Sequence, residues 1–494
     1  MPVDPRTPVL VGYGQVNHRD EIDPNARSVE PVDLMVAAAQ QAGDSRVLDA
    51  VDSIRVVNVL SAHYRDPGLL LGERIGAAKF NTFYSPVGGN VPQSLVNQAC
   101  LDIQQGRSGV VLLAGAETWR TRRGLRARGG KLVWTAQDES VPMAEVSGAD
   151  VDMAGDAEIR IALDRPAYIY PLFEQALRIA NGESVGDHRR RVGQLWARFN
   201  TVAVDNPHAW IRKQVTAEEI AEPGPQNRMI SWPYTKLMNS NNMVDQGAAL
   251  ILTSVGQATR LRIPPESWVY PHAGTDAHDT SSIAERDELH RSPAIRIAGA
   301  RALQLAGLGT DDIDYVDLYS CFPSAVQIAA AELGLGFDDP ARPLTVTGGL
   351  TFAGGPWSNY VMHSIATMAE LLVANPGRHA LITANGGYLT KHSFGVYSTD
   401  PPSQFRWEDV QSMVDREPAG KGLIEWEGTG TVEAWTTPFD RDGQPDKAFL
   451  AVRTPDGSRT LAVISDPTAA EATVREDIGG AKVVVTSAGT ATLK

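Results

Sequence analysis

The sequence has few cysteines, fewer basic than acidic residues, and no long apolar run. Two cysteines in 494 residues cannot form a disulfide framework, which favours a reducing compartment, so we expect the cytoplasm. Residues 1–5 lack a basic stretch followed by an apolar one, and no signal peptide is predicted. The longest apolar runs, such as residues 110–114, are far too short to span a membrane.

The deficit of basic residues excludes several classes of partner. Asp and Glu number 59 against 45 Lys and Arg, which gives a formal net charge of −14. An acidic chain repels nucleic acid and anionic membranes, so neither is expected as the main partner. The exception is a local arginine cluster at residues 120–128.

Apolar runs of strand length alternate with helical patterns along most of the chain. This alternation predicts an α/β fold with a parallel sheet covered on both faces. We expect an N-terminal half over residues 1–260, interrupted by an inserted region at 118–235, and a C-terminal half over 261–399. Beyond a linker-like Pro pair, residues 400–494 show turn signals and short β patterns, which predict a small all-β barrel or sandwich.

The two halves resemble each other in the order of their motifs. Ala42-Gly43 has a counterpart in Ala306-Gly307, and Gly88-Gly89 has one in Gly354-Gly355 at nearly the same offset. Two similar halves bring both glycine loops, and the helix starts that follow them, to one cleft. Paired helix N-termini favour a developing negative charge such as a thioester oxyanion.

Several motifs together resemble the thiolase superfamily over the first 399 residues. The glycine-rich loop at residues 347–356 resembles the "GG…GHP" loop of thiolases, and Gly106 and Glu117 fit two landmarks after their nucleophile. Residues 319–322 (YSCF) resemble the "HDCF" loop of sterol-carrier-protein-type thiolases. The match is closest to that type and to thiolase-like proteins labelled acetyl-CoA acetyltransferase. The resemblance implies a thiolase fold, layered α-β-α-β-α, with a C-terminal part similar to an OB fold.

The sequence departs from the thiolase pattern at the positions that carry its chemistry. By the resemblance, Gly89 stands at the nucleophile position, Gly355 at the position of the active-site His, and Ala384 at that of the second Cys. Glycine and alanine can neither carry an acyl group nor move a proton. We therefore expect a protein that binds CoA or an acyl-CoA thioester without ordinary thiolase activity.

Three alternatives remain open at this point. Cys321 and Asn385 would serve an acyltransferase with atypical groups, and Tyr319 would serve a retro-aldolase-like lyase acting on a hydroxyacyl-CoA. A non-catalytic partner subunit is the third. Each residue also has a structural interpretation, because cysteine is commonly buried, tyrosine packs with its hydroxyl bonded, and asparagine favours turns.

The resemblance also implies which residues hold the ligand. The candidates for gripping CoA, or for bringing backbone close to the thioester, are Arg120, Arg122, Arg123, Trp232, Asn239, Gly354, Gly355 and Gly386. No covalently bound cofactor is expected. No metal is expected either, because the spacing of His272, Asp276, His278 and Asp279 fits no metal-binding motif.

The oligomeric state is predicted from one segment. Thiolases associate through the sheet region before their nucleophile, which here is residues 81–86 and contains Pro86. Proline cannot donate to a strand ladder, so the homodimer implied by the resemblance is expected to be weakened, and a monomer is open. A hydratase or another protein of lipid metabolism is the partner class that the resemblance implies.

Overall fold

A computed structural model describes residues 3–23, 27–148, 150–337 and 339–494. Met1 and Pro2, which belong to the N-terminal stretch assessed for a signal peptide, lie outside the described residues. Within the described part of the chain, no helix combines the length and apolar character that a membrane crossing needs.

The strands and helices are numbered in chain order. The strands are β1 Pro8–Asn17, β2 Ser53–Val56, β3 Asn81–Tyr84, β4 Val110–Thr118, β5 Glu145–Val146, β6 Met229–Trp232, β7 Tyr234–Thr235, β8 Asp245–Ser254, β9 Tyr270–His278, β10 Tyr315–Asp317, β11 His379–Gly386, β12 Lys391–Ser398, β13 Arg406–Asp409, β14 Gly422–Leu423, β15 Gly428–Pro438, β16 Ala448–Arg453, β17 Arg459–Ile464, β18 Lys482–Val485 and β19 Ala491–Leu493. The α-helices are α1 Pro31–Ala42, α2 Ser45–Asp49, α3 Pro67–Ile75, α4 Val91–Gln104, α5 Trp119–Ala127, α6 Asp156–Arg160, α7 Pro166–Ala180, α8 Val185–Asp205, α9 Ala217–Ala221, α10 Val255–Arg260, α11 Pro293–Ala306, α12 Pro323–Leu333, α13 Gly349–Phe352, α14 Tyr360–Ala374, α15 Gln411–Val414 and α16 Pro467–Arg475.

Two sheets enclose a central helical layer. The first sheet has the order β1-β8-β4-β2-β3-β5, and the second has the order β10-β11-β12-β9-β13. Helices α4 and α14 contact strands of both sheets, whereas α1 packs on the first sheet alone and α11 on the second. The predicted α-β-α-β-α layering is confirmed, and the largest apolar core fills the space around the central helices.

The prediction of a parallel sheet is wrong for several of the strands. β8 pairs antiparallel with both β1 and β4, and β12 pairs antiparallel with β11 and β9. Parallel pairs join β2 to β3 and β4, and β10 to β11. A strand buried on both faces is apolar throughout in either direction, so its sequence does not record which way it runs.

Capping residues fix helix boundaries that the apolar pattern misses. The pattern predicts a helix over residues 69–78, whereas α3 spans Pro67–Ile75. The Asp66 side chain accepts a hydrogen bond from the Leu69 N–H at 2.8 Å, and Gly76 ends the helix in a left-handed conformation with φ of 80°.

The C-terminal part is a small β domain, but it is not purely β. Strands β15 to β19 are antiparallel neighbours, and the Val463 N–H donates to the Gly489 carbonyl at 2.8 Å, which curls the sheet back on itself. Helix α16 interrupts the strands, since Asp466 caps it and Pro467 opens it. Past residue 400 the chain first adds β13 to the second sheet, parallel to β9.

Candidate functional site

The loop that contains Gly88-Gly89 meets the residues that follow Gly354-Gly355 beside one cavity, which brings the two loops together as the internal repeat predicts. The Gly88 N–H donates to the Ser358 hydroxyl at 3.2 Å, which joins the loop before α4 to the loop before α14. The space beside them, called the central cavity below, has a volume of about 670 Å³ and is lined mainly by residues 87–89, 164–167, 319–322 and 385–388. The helix starts of α4 and α14 therefore lie at its wall.

Gly89 has no room for a side chain. A Cβ atom at this position would lie 2.3 Å from the Tyr319 hydroxyl oxygen and 2.4 Å from the Asn385 carbonyl oxygen. Real Cβ atoms do not approach other atoms so closely, and one of the two neighbours is backbone. Tyr319 thus occupies the space that a side chain at position 89 would need.

Tyr319 faces the cavity with a neutral hydroxyl. Its backbone N–H donates to the Thr383 hydroxyl at 2.8 Å, and its ring meets Tyr360 edge-on at 5.6 Å. Among the described residues its own hydroxyl has no hydrogen-bond partner. Burial raises the Tyr319 pKa well above its ordinary value, and the nearby Cys321 adds to this. The group is therefore a free phenol suited to donating a hydrogen bond.

Cys321 also lines the cavity and is a free thiol. Burial raises its pKa to about 12, although hydrogen bonds from Tyr170 and from backbone groups oppose the shift. The Asn385 amide nitrogen lies 3.8 Å from the sulfur. Because the thiolate is the nucleophile, this shift disfavours the reactive form of Cys321.

Asn385 stands at the end of β11 and points into the same cavity. Its amide nitrogen donates to the Tyr170 hydroxyl at 2.9 Å, while its side-chain oxygen is buried without a partner in the described part of the protein. Tyr170 stacks on Phe322 at 4.4 Å and forms one wall. Ala384 is absent from the lining, because successive strand residues face opposite sides.

Gly354 and Gly355 lie behind the cavity wall. The Gly355 N–H donates to the Asn241 carbonyl at 3.0 Å, and a Cβ there would lie 2.9 Å from the Asn242 side-chain oxygen. Gly354 has φ of 110° and packs against the Gln246 side chain. At the rim stands Trp357, whose φ of 49° is unusual for a residue with a side chain.

The predicted arginine cluster does not line the cavity. Arg120 is paired with Asp245 at 3.3 Å, and Arg122 donates to the Leu60 and Ser61 carbonyls at 3.3 and 3.1 Å. Arg123 is exposed at the surface. The arginine that does line the cavity is Arg165, in the inserted region.

The remaining predicted ligand residues divide between the cavity and the protein core. Asn239 and Gly386 line the cavity, and the Asn239 amide donates to the Thr235 carbonyl at 2.7 Å. Trp232 is buried in the apolar cluster of the C-terminal domain, away from the cavity. Across the described ranges, no group of His, Cys, Asp or Glu is arranged to hold a metal ion.

Four residues that line the cavity have no signal in the sequence. Arg165 and Tyr170 belong to the inserted region, which carries no recognisable motif, and Tyr388 and Trp357 lie next to glycine loops without matching a pattern. Only packing of the insert over the two halves places the first two at the site.

Family models match the C-terminal half and the C-terminal domain. One, described as "Thiolase C-terminal domain-like", matches residues 275–399, and the other, "Thiolase-like protein type 1 additional C-terminal domain", matches residues 409–490. The crystal structure of a monomeric SCP2-thiolase like protein type 1 from Mycobacterium smegmatis is 32% identical. The alignment covers 100% of both chains with a TM-score of 0.84.

More distant relatives share the fold. The Ltp2-ChsH2(DUF35) aldolase is 20% identical, with 80% of this chain and 98% of that chain covered and a TM-score of 0.59. The dimeric peroxisomal thiolase of Saccharomyces cerevisiae is 14% identical, with 81% and 99% covered and a TM-score of 0.57. A curated acetyl-CoA acetyltransferase of Methanothermobacter thermautotrophicus is 27% identical over 185 residues, which span 35% of this chain and 46% of that protein. The chain therefore matches about half the length of this curated relative.

Proposed function

The chain belongs to the SCP2-thiolase-like proteins of type 1, and from this premise we propose that it binds CoA or an acyl-CoA thioester in the central cavity without running the ordinary thiolase reaction. The membership confirms the resemblance drawn from the sequence. The share of the curated acetyltransferase that is matched is too small to transfer its activity.

The observation that carries this proposal is the occupied space at position 89. Thiolase chemistry needs a thiolate there to take the acyl group, and here the Tyr319 hydroxyl and the Asn385 carbonyl take up that space. Cys321 does not replace it, since its pKa of about 12 leaves the thiol protonated.

The cavity retains features suited to a thioester. The start of α4 directly follows Gly88 and Gly89 of the cavity wall, and the positive end of its helix dipole supports binding of a carbonyl oxygen there. Tyr319 offers a second donor. We assign Arg165, exposed at the rim, to the CoA phosphates, in place of the predicted cluster around Arg120.

A second candidate rests on the unpartnered Tyr319 hydroxyl. In aldol cleavage of a β-hydroxyacyl thioester, the hydroxyl loses its proton and the Cα–Cβ bond breaks, which gives a carbonyl product and an enolate thioester. A neutral phenol beside the enolate is suited to protonate the α-carbon, and the resulting phenolate regains a proton from the hydroxyl of the next substrate. The acyltransferase alternative has less support because it needs an ionised Cys321. The third alternative is a non-catalytic subunit that binds the thioester in a complex with a protein of lipid metabolism.

We also propose a monomer in the cytoplasm. The outer edge of β3, the region through which thiolases associate, is paired with β5, with Phe83 opposite Glu145 and Tyr84 opposite Val146. An edge that is already paired cannot accept a second copy. Light scattering is expected to give the mass of one chain at all dilutions, and a stable mass of two chains would refute the monomer.

Calorimetric titration with CoA and with acetyl-CoA tests the binding proposal. Binding is expected for the wild type, together with no thiolysis of acetoacetyl-CoA by the same preparation. No binding of either ligand would refute the proposal. Thiolysis that disappears in Cys321→Ala would instead establish Cys321 as a working catalytic group.

A further inference from the structure

One of the places where the C-terminal domain contacts the body of the protein is the segment 283–287, which begins with a short 3-10 helix at Ile283–Glu285. Arg459 of β17 is fully buried and donates to the carbonyls of Ile283 at 3.1 Å and Asp287 at 3.0 Å, and also to that of Arg286. Backbone carbonyls in an irregular buried segment need such donors. The domain therefore supplies most of the donors to these carbonyls, of which that of Ile283 also accepts from the Arg286 N–H at 3.4 Å.

A buried ion pair fixes the arginine in place. Arg459 binds both oxygens of Glu433 at 2.6 and 2.8 Å in a bidentate pair. Burial opposes ionisation of Glu433, but the bonds from Arg459 and Arg453 outweigh it and hold the Glu433 pKa below its usual value. Arg453 adds one bond to the Asp287 carbonyl at 2.6 Å.

The side chain of Arg286 links the segment 283–287 to the backbone of residues 388 and 389. It is 5% exposed, lies over the Phe173 ring at 5.1 Å, and donates to the carbonyls of Tyr388 at 2.8 Å and Leu389 at 3.0 Å. Its Nε and Nη1 atoms are buried without partners among the described residues. The guanidinium thus bonds through Nη2, to these two carbonyls, to the Thr390 hydroxyl at 3.3 Å and to the Thr280 carbonyl at 3.5 Å.

The turn that Arg286 holds forms part of the central cavity. Residues 385–388 line the cavity, and Gly387 and Leu389 both adopt left-handed conformations with φ of 69° and 57°. A residue with a side chain adopts such a conformation only where its surroundings hold it there. The Leu389 N–H also donates to the hydroxyl of Tyr170, at 2.9 Å.

We propose that Arg286 is a positioning residue through which docking of the C-terminal domain orders the cavity turn at residues 385–390. The domain then has a role in the site without touching a ligand. Arg459 and Glu433 hold the segment, the segment places Arg286, and Arg286 holds the turn that carries Asn385. This inference extends the proposed function, on which only its ligand-binding consequence rests.

Hydrogen–deuterium exchange on the full chain tests the connection without any ligand. In Arg286→Met, amides of residues 386–391 are expected to exchange about 10-fold faster than in the wild type. Arg286→Lys keeps a donor for the two carbonyls and is expected to recover part of the protection. Wild-type exchange in the Met variant would overturn the proposal, and so would identical exchange in the Met and Lys variants.

A pair of variants in the C-terminal domain tests the remote half of the proposal. Arg459→Met is expected to speed exchange both at 283–287 and at 386–391. The matched change Arg475→Met, at an exposed arginine of the same domain that pairs with Glu471, is expected to leave the turn protected. Faster exchange confined to 283–287 in Arg459→Met would overturn the coupling. If Arg459→Met does not fold, Glu433→Gln makes the same test more gently, with the same two outcomes.

Calorimetry with CoA separates this inference from the proposed function. If the wild type binds, Arg286→Met is expected to weaken binding about fivefold or more, and Arg286→Lys less. Unchanged binding in both variants would overturn a role for Arg286 in the site. If the wild type does not bind, the proposed function fails, while the exchange results still decide whether the domain orders the turn.

Discussion

Substituting Gly89 by alanine tests the claim that the nucleophile position has been closed. The new Cβ would lie 2.3 Å from the Tyr319 hydroxyl and 2.4 Å from the Asn385 carbonyl. The carbonyl belongs to β11, whose Asn385 is paired with His392 of β12, and the tyrosine ring packs against Tyr360. Neither neighbour moves freely, so the cost is expected at the upper end of overpacking, about 3 kcal/mol.

The adjacent Gly88 provides the matched control. Its Cβ would come within 3.0 Å of a single atom, the side-chain oxygen of Asn90, which has no hydrogen-bond partner among the described residues and sits at the end of a side chain. We expect Gly88→Ala to cost less than about 1 kcal/mol. In thermal unfolding, Gly89→Ala is then expected to melt about 2 °C below Gly88→Ala.

A double variant identifies the obstructing group. Adding Tyr319→Phe to Gly89→Ala removes the hydroxyl but leaves the carbonyl contact, so part of the lost stability is expected to return. Equal melting temperatures for the two alanine variants would show that position 89 has room for a side chain. A closed nucleophile position could then no longer explain an absence of thiolase chemistry.

Three further predictions concern binding and pH. Tyr319→Phe is expected to weaken CoA-thioester binding about fivefold in calorimetry. Its melting temperature should change little, because the hydroxyl has no partner among the described residues. Tyr360→Phe loses a buried hydrogen bond to Asp317 at 3.2 Å, so it is expected to lower the melting temperature without weakening binding. Burial raises the Glu117 pKa from 4.5 to about 7, so the protonated carboxyl stabilises the folded state at low pH. Up to about 3 kcal/mol of folding stability is lost as the pH rises through 7. Glu117→Gln is expected to flatten this part of the plot of melting temperature against pH, and an unchanged plot would contradict the prediction. Burial lowers the pKa of His188, but its ion pairs with glutamates outweigh this effect and raise the pKa overall. The protonated imidazole therefore stabilises the folded state below pH 6.5, and this stabilisation fades at higher pH. His188→Gln is expected to lower the melting temperature more at pH 6 than at pH 9, and equal losses at the two pH values would contradict the prediction.

Local patterns in the sequence predict the fold well where a single element decides the outcome. The apolar pattern predicts a helix over residues 360–374 and a strand over residues 448–453, and the structure has α14 at Tyr360–Ala374 and β16 at Ala448–Arg453. The meeting of Gly88 and Ser358 follows from the internal repeat, because similar halves place their loops alike. These features depend on periodicity and order, which the sequence contains directly.

Features that depend on tertiary contacts could not be read from the sequence. The direction of β8 is set by where the chain returns after the long insert. Helix α16, in contrast, has a local start signal, Asp466 before Pro467, which the β pattern of the surrounding stretch obscures. Arg165 and Tyr170 become site residues only because the insert folds over the cavity. The Tyr319 hydroxyl fills the space beside Gly89 only in the folded protein, because the two residues are far apart in the chain.

Mass spectrometry of the intact protein after incubation with acetoacetyl-CoA tests the central claim most directly. The thiolase reaction passes through an acyl group bound covalently to the enzyme. Under the proposed function, the closed position 89 and a protonated Cys321 leave no group to carry it. We predict an unchanged protein mass at ligand concentrations that saturate binding. An acetyl adduct on Cys321, lost in Cys321→Ala, would contradict the claim.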